Sequence, residues 1–417
     1  MEAIFRPADI LLPSDADMRK WSVVACDQFS SQPEYWDELD GFVGGAPSSL
    51  RMIFPEAYLE RRDQFEEAEK INAVMRQYLG GGVFRTLPDS FVYVERTLAG
   101  GTVRRGLVGA IDLEAYDYSR DSLSPVRATE GTVPERLPPR VQVRREAPLE
   151  MPHIMVFLDD KTDGVLGALR EKKEALPLLY DFELNCGGGQ LTGRQVSGEA
   201  AKALLASLDE LEQEERDKCA PAAPVIFAIG DGNHSLAAAK NCWEEVKAAL
   251  PPEAAQAHPA RFALVELVNI HDEGIAFEPI HRALFGTETE GFIDEAVAYF
   301  QERCLPGENG HELCLVTARG EEKLFVTGLT IGQTIGAAEE FCQRYVAEHG
   351  GSIDYIHGDD IAVEMGQRKD GAALLLPRME KSEVFPSVVR SGPFPKKSFS
   401  IGHAADKRYY LECRRLK

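Results

Sequence analysis

Residues 224–240 read Pro-Val-Ile-Phe-Ala-Ile-Gly-Asp-Gly-Asn-His-Ser-Leu-Ala-Ala-Ala-Lys. An apolar run over 224–229 predicts a strand, Gly230 opens a polar turn, and the good helix formers that follow predict a helix over 235–250. A further strand is predicted over 262–270, so the order here is strand, loop, helix, strand. Glycines at 230 and 232 let the backbone approach a ligand closely, and a helix start presents unpaired N–H groups at the positive end of its dipole. That combination describes a phosphate site, with Gly232, Asn233 and Ser235 holding the anion and Asp231 and His234 supplying acid–base chemistry. A plainer reading stands beside it: Asp231 and Asn233 cap the helix and His234 is an ordinary turn histidine. The polar residues gather where the strand ends, the usual place for ligands in α/β sheets, which puts binding first. The spacing matches neither G-x-G-x-x-G nor G-x-x-x-x-G-K-[ST], so a Rossmann dinucleotide site and a P-loop are not supported.

Outward from this centre, 154–158 reads as a strand and 198–218 as an acidic helix with Leu204, Leu205, Leu208 and Leu211 on one face. Residues 91–96 and 103–112 form a hairpin around a glycine turn, 56–79 a long amphipathic helix, and 21–26 a short strand. Prolines between 122 and 152 forbid a continuous helix and predict an ordered extended loop. Downstream, helices are predicted over 293–302 and 336–348 and strands over 312–317 and 323–327. The expected class is α+β, a mixed sheet with flanking helices plus a smaller α+β insertion. The expected domains are 1–285 with the main sheet, 286–377 as the smaller unit, and a basic tail, 378–417, packing back on the first.

Charge narrows the function. The 417 residues carry 46 basic and 68 acidic side chains, a net of −22, which repels a polyanion and argues against nucleic acid. The tail departs from this, with ten basic against four acidic residues, a net of +6 that leaves −28 for 1–377. A second basic island, residues 127–145, holds five arginines and two acids. Hydrophobic residues at 44% and charged residues at 27% are globular proportions and exclude disordered and coiled-coil classes. No apolar run approaches the roughly 18 residues of a membrane span, and the N-terminus has no secretory pattern, so a cytoplasmic protein with no membrane partner is expected. Eight scattered cysteines without C-x-x-C spacing read as reduced thiols. A homodimer stays open.

Three further stretches carry chemistry. In 127–140, Arg127 offers a guanidinium fork, Thr129 a hydroxyl, and Glu130 a carboxylate for a proton or Mg2+. The alternative for these arginines is pairing with surface acids. His281-Arg282 supplies a donor pair after an extended stretch, and 392–402 sets Lys396, Lys397 and Ser398 in a turn flanked by prolines.

The four motifs in order, Arg127-Ala-Thr-Glu-Gly-Thr-Val-Pro-Glu-Arg136, Asp231-Gly-Asn-His-Ser235, His281-Arg282 and Lys396-Lys-Ser-Phe-Ser400, resemble those of the bacterial and archaeal family called domain of unknown function 1015. The resemblance runs over almost the whole chain. Most members carry Asp-Gly-His-His-Arg at the central turn; here Asn233 and Ser235 stand in place of a histidine and the arginine, removing the guanidinium nearest a phosphate. The turn is also similar to the phosphate box of the ParB and sulfiredoxin-like fold, whose members include a free-serine kinase. Members of the family are often encoded beside enzymes of serine biosynthesis. The resemblance therefore implies a nucleotide-dependent phosphotransferase acting on a small, serine-like hydroxyl metabolite, with ATP or ADP and Mg2+ held by Glu130 and Asp231. A binder or regulator of a phosphorylated metabolite and a phosphoester hydrolase are the alternatives.

Overall fold

Alternating apolar residues along 84–112 build the centre of the molecule. In the computed structural model, which describes residues 3–132, 137–307 and 310–417, strands Phe84–Thr97 and Val103–Asp112 pair antiparallel with Val92 opposite Val108. The expected hairpin is present, and its first strand starts earlier than the pattern indicated. Phe84–Thr97 also pairs with Ala8–Pro13, which in turn pairs with Cys413–Arg415, so the end of the described chain closes against its start. On the other side the sheet continues through Phe262–Asn269, Met155–Leu158, Phe227–Asp231, Val126–Ala128 and Tyr116–Asp117. Phe227–Asp231 runs parallel to Val126–Ala128, and most other pairings are antiparallel, so the sheet is mixed as expected.

Side chains on a strand alternate between faces, and both faces here are covered. Val156 and Leu158 pack with Leu204 and Leu208 of helix Gly198–Cys219 and with Leu236 and Trp243 of helix Asn233–Ala248. Met155 and Phe157 join a separate core with Phe292, Phe341 and Leu374. That second core belongs to a six-stranded sheet in which Phe277–Phe285 pairs with Gly371–Leu375, Ser352–His357 and Phe399–Ile401. The class is α+β.

Several elements differ from expectation. The predicted helix over 56–79 is a short 3-10 turn, Glu56–Tyr58, followed by helix Gln64–Gly80. Asp63 separates them, because its carboxylate accepts the N–H groups of Phe65 and Glu66 and starts a new helix. The strand expected over 21–26 is Val23–Val24, preceded by helix Met18–Trp21. The proline-rich passage holds helix Leu137–Arg145, with Pro138 and Pro139 in its first turn, where their missing N–H groups cost nothing. Residues 133–136 of the Arg127–Arg136 motif lie outside the described residues. Among the described residues no helix is long and apolar enough to cross a membrane.

Candidate functional site

The strand predicted over 224–229 is Phe227–Asp231, and its helix begins at Asn233, leaving Gly232 as the only linker. Gly232 has φ +78°, and a Cβ there would lie 3.1 Å from the Ile154 Cα, so both the turn and its packing call for glycine. A Cβ at Gly230 would come within 2.5 Å of the Phe157 ring. Gly230 through Ser235, including the first turn of the helix, line a cleft of ≈ 420 Å³ beyond the carboxyl ends of Val126–Ala128 and Phe227–Asp231. That volume suits a small ligand.

Two chain segments form the opposite wall. Tyr355 and His357 come from a strand of the second sheet, Lys397 and Ser398 from the proline-flanked turn, and Ser400 from the strand Phe399–Ile401 that follows it. The turn is stitched to the main sheet: the Phe394 N–H donates to the Thr129 carbonyl at 2.7 Å, the Gly131 N–H donates to the Phe394 carbonyl at 3.0 Å, and the Lys397 N–H donates to Glu130 Oε1 at 2.6 Å. Lys397 is held in the left-handed region at φ +55°, which costs a lysine energy and recurs at functional sites. Its Nζ lies 4.6 Å from the Tyr355 ring centre.

Thr129, Glu130, Asp231, Gly232, Asn233, His234, Ser235, Lys397 and Ser398 of the expected residues share this cleft. Asp231 accepts the Gly232 N–H on Oδ1 at 3.0 Å and faces Lys407 Nζ from Oδ2 at 3.1 Å. Asn233 is 5% exposed; among the described residues its Oδ1 has no hydrogen-bond donor. The Thr129 hydroxyl donates to the Ile229 carbonyl and fixes the strand end.

Four expected residues lie elsewhere. Arg127 is 6% exposed and donates to the carbonyls of Ser124 and Ala223, at the end of the sheet opposite the cleft. Arg282 is fully buried and paired with Glu339 at 2.7 Å; it stands behind the cleft wall, donating from Nη1 to the Ile280 carbonyl and, at 3.0 Å, to the Lys397 carbonyl, with its guanidinium 4.8 Å from the Tyr355 ring centre. His281, one residue along the strand and so on its other face, accepts the Leu376 N–H and meets Asp359. Lys396 is exposed and outside the cleft.

The sequence did not point to Asp27, Glu56, Tyr355, His357 or Lys407, which also line the cleft. Burial pushes the Asp27 carboxyl up, but the charges of His153, Arg140 and Lys407 and a hydrogen bond from Gln28 outweigh it, and its pKa lies below the ordinary value. Burial, with Lys407 and Lys397 adding to it, holds His357 below the ordinary histidine value. Arg140 pairs with Glu56 at the rim. The cations Arg140, Lys397 and Lys407 thus face the carboxylates Asp27, Glu56, Glu130 and Asp231. The basic islands do not make a positive cleft, because Arg144, Arg145, Arg408 and Arg414 spend their charge on Glu150, Glu245, Glu266 and Glu412.

These elements define an α+β protein with a mixed-charge cleft at a strand-to-helix turn. The chain belongs to the family described as protein of unknown function (DUF1015), whose model matches residues 6–340. The Lys396–Ser398 motif lies beyond that match. Among solved structures the chain is similar to a free serine kinase in complex with AMP, at 11% identity and TM-score 0.36, covering 74% of this chain and 91% of that one. A mutant of the free serine kinase in complex with ADP gives 11% identity, TM-score 0.37 and the same coverages of 74% and 91%. SbnI with a C-terminal truncation, from Staphylococcus aureus, gives 10% identity and TM-score 0.34, covering 71% of this chain and 83% of that one. No curated protein sequence matches the chain.

Proposed function

We propose that the protein is a nucleotide-dependent phosphotransferase acting on a small hydroxyl metabolite, with phosphate held at the start of helix Asn233–Ala248. The observation that carries this reading is the cleft itself: a glycine-linked helix start on one wall, Lys397 and Lys407 nearby, and Glu130 anchored within the same space. Phosphoryl transfer asks chiefly for positioning and charge neutralisation, and this set supplies both. The 230–235 turn would then act as the phosphate box that the ParB and sulfiredoxin-like resemblance implies.

With ATP as donor, the acceptor hydroxyl oxygen forms a bond to the γ-phosphorus while the bond from that phosphorus to the β,γ-bridging oxygen breaks. The bonding pair leaves with ADP, and the hydroxyl proton passes to a carboxylate. Glu130 and Asp231 are the cleft carboxylates proposed for that role. Lys397, Lys407 and the first-turn N–H groups face the transferred phosphoryl oxygens.

The cleft also fits Mg2+ on its donor chemistry. Glu130, Asp231 and the orphaned Asn233 Oδ1 are oxygen donors, and Mg2+ typically takes one or two carboxylates with phosphate oxygens making up the rest. Bound there, it would neutralise polyphosphate charge that three cations facing four carboxylates leave uncompensated.

The non-catalytic alternative is favoured by one observation, that Ser235 puts no guanidinium at the helix start. Incubation with ATP or ADP, Mg2+ and a panel of hydroxyl metabolites, followed by mass spectrometry, separates the readings. A phosphorylated acceptor supports transfer. Free phosphate released from phosphomonoesters indicates a hydrolase, and saturable binding without either product indicates a regulator.

A further inference from the structure

Beside the cleft lies a second cavity of ≈ 150 Å³, most of whose lining is apolar, including Met52, Ile53, Phe54, Leu59, Met75 and Val143. Glu56, Arg140 and Ser235 line both spaces, so the chamber meets the cleft at the first turn of helix Asn233–Ala248. Ile154, another wall residue, is the side against which Gly232 packs. His153 ties the wall to the helix start: its Nε2 lies 3.4 Å from the Ser235 Oγ and its Nδ1 2.8 Å from the Tyr410 hydroxyl.

The chamber's charges cancel locally. Arg140 pairs with Glu56 at the rim, and Arg144 pairs with Glu150 at 2.7 Å. Cys26 also lines it, but burial, then the Asp27 charge, push its thiol up to about 12, so it stays protonated and is no nucleophile. A space with no net charge and aliphatic walls rejects a charged group and accepts an apolar one. A cavity of about 150 Å³ is large enough for a benzene ring.

We infer that this chamber takes the hydrophobic body of the cleft's ligand, and that the acceptor is a hydroxyl compound with a compact apolar substituent up to the size of one ring. The inference rests on the phosphate reading of the cleft and names its substrate class. Phosphate at the helix start and an apolar group past Ser235 are then two ends of one product, a phosphomonoester of a hydrophobic alcohol.

Benzyl phosphate carries both ends, and inorganic phosphate only one. Titrated calorimetrically into the full chain, benzyl phosphate is expected to bind at least about 10-fold tighter than inorganic phosphate, from burial of the ring. Ala147→Phe fills the chamber and is expected to remove that advantage while leaving inorganic phosphate and ADP with Mg2+ unchanged. Met75→Ala enlarges it and is expected to admit 2-naphthylmethyl phosphate, so a misfolded Ala147→Phe protein does not end the test. Equal affinity for benzyl and inorganic phosphate overturns the inference, as does a benzyl advantage that survives in folded Ala147→Phe. Failure of ADP with Mg2+ to bind, with the benzyl advantage intact, instead defeats the nucleotide reading and leaves the chamber assignment standing.

Discussion

Replacing Gly232 by alanine separates two roles that the turn combines. An L-residue in the left-handed region costs roughly 1–2 kcal/mol, and Gly232 sits at φ +78°. The new Cβ would also lie 3.1 Å from both the Cα and the Cγ1 of Ile154, and a backbone atom on a sheet-flanking segment cannot swing aside. Overpacking of that kind adds about 1 kcal/mol or more, for a total of roughly 2–4 kcal/mol. Gly82 is the control, because it has φ +71° and nothing within 4 Å of a built Cβ, so Gly82→Ala keeps the conformational cost without the contact. Urea midpoints of the two variants are expected to fall unequally, Gly232→Ala by more. Relief of the contact tilts the helix start, and a helix terminus contributes about 0.3–2 kcal/mol to holding an anion, so inorganic phosphate affinity is expected to drop roughly 2- to 30-fold in Gly232→Ala alone. Equal destabilisation of the two variants would refute the Ile154 contact. A destabilised Gly232→Ala protein with unchanged phosphate affinity would refute the helix start as the anion cradle.

Lys397→Gly relieves the φ of +55° while removing a cleft cation, so this variant is expected to melt no lower than the parent yet bind phosphate more weakly, with a shallower salt dependence. Glu130→Gln keeps an acceptor for the Lys397 N–H but no proton acceptor, and phosphoryl transfer is expected to slow roughly 10²- to 10⁴-fold; an unaltered rate removes Glu130 from the proton step. Arg282→Met leaves the Glu339 charge buried with only the neutral donors Gln343 and Tyr355 and is expected to cost about 3–5 kcal/mol by urea titration, with cleft affinity falling because the Lys397 carbonyl is released. Burial holds His281 below the ordinary value of 6.5, and protonation at Nδ1 would break its bond from the Leu376 N–H; burial, Lys407 and Lys397 likewise lower His357. The unfolded chain therefore takes up these protons first, and the urea midpoint is expected to fall between about pH 7.5 and 5.5, whereas a flat or rising midpoint contradicts the assignment.

What the sequence disclosed followed from local physics. Helix formers over 235–250 and apolar runs at 224–229 and 262–270 show their geometry in their own composition, and each element appears within a few residues of its expected place. Asp63 escaped notice because a capping residue inside an apolar period of 3.6 leaves that period intact while breaking the helix. The residues grouped at the 230–235 turn were legible because they are contiguous. Tyr355 and His357 were not, since only the antiparallel pairing of Ser352–His357 with Phe277–Phe285 brings them to the turn. Arg127 and Arg282 misled for a common reason: a guanidinium is as well suited to backbone carbonyls or a buried carboxylate as to phosphate, and composition cannot say which it meets.

The charge distribution turns on the same point. An acidic chain with two basic islands suggests a positive pocket, but Arg144, Arg408 and Arg414 are consumed in buried pairs that hold the sheet and the last strand together. What reaches the cleft is a near balance, Lys397, Lys407 and Arg140 against four carboxylates. A balanced cleft discriminates where a positive one would not. Free phosphate gains little from it, because each cation already has a carboxylate or an aromatic ring beside it. A ligand that brings its own divalent cation, or that adds an apolar group for the neighbouring chamber, gains the binding that charge alone withholds. Selectivity would then arise from coupling the helix start to the chamber through Ser235, which lines both spaces.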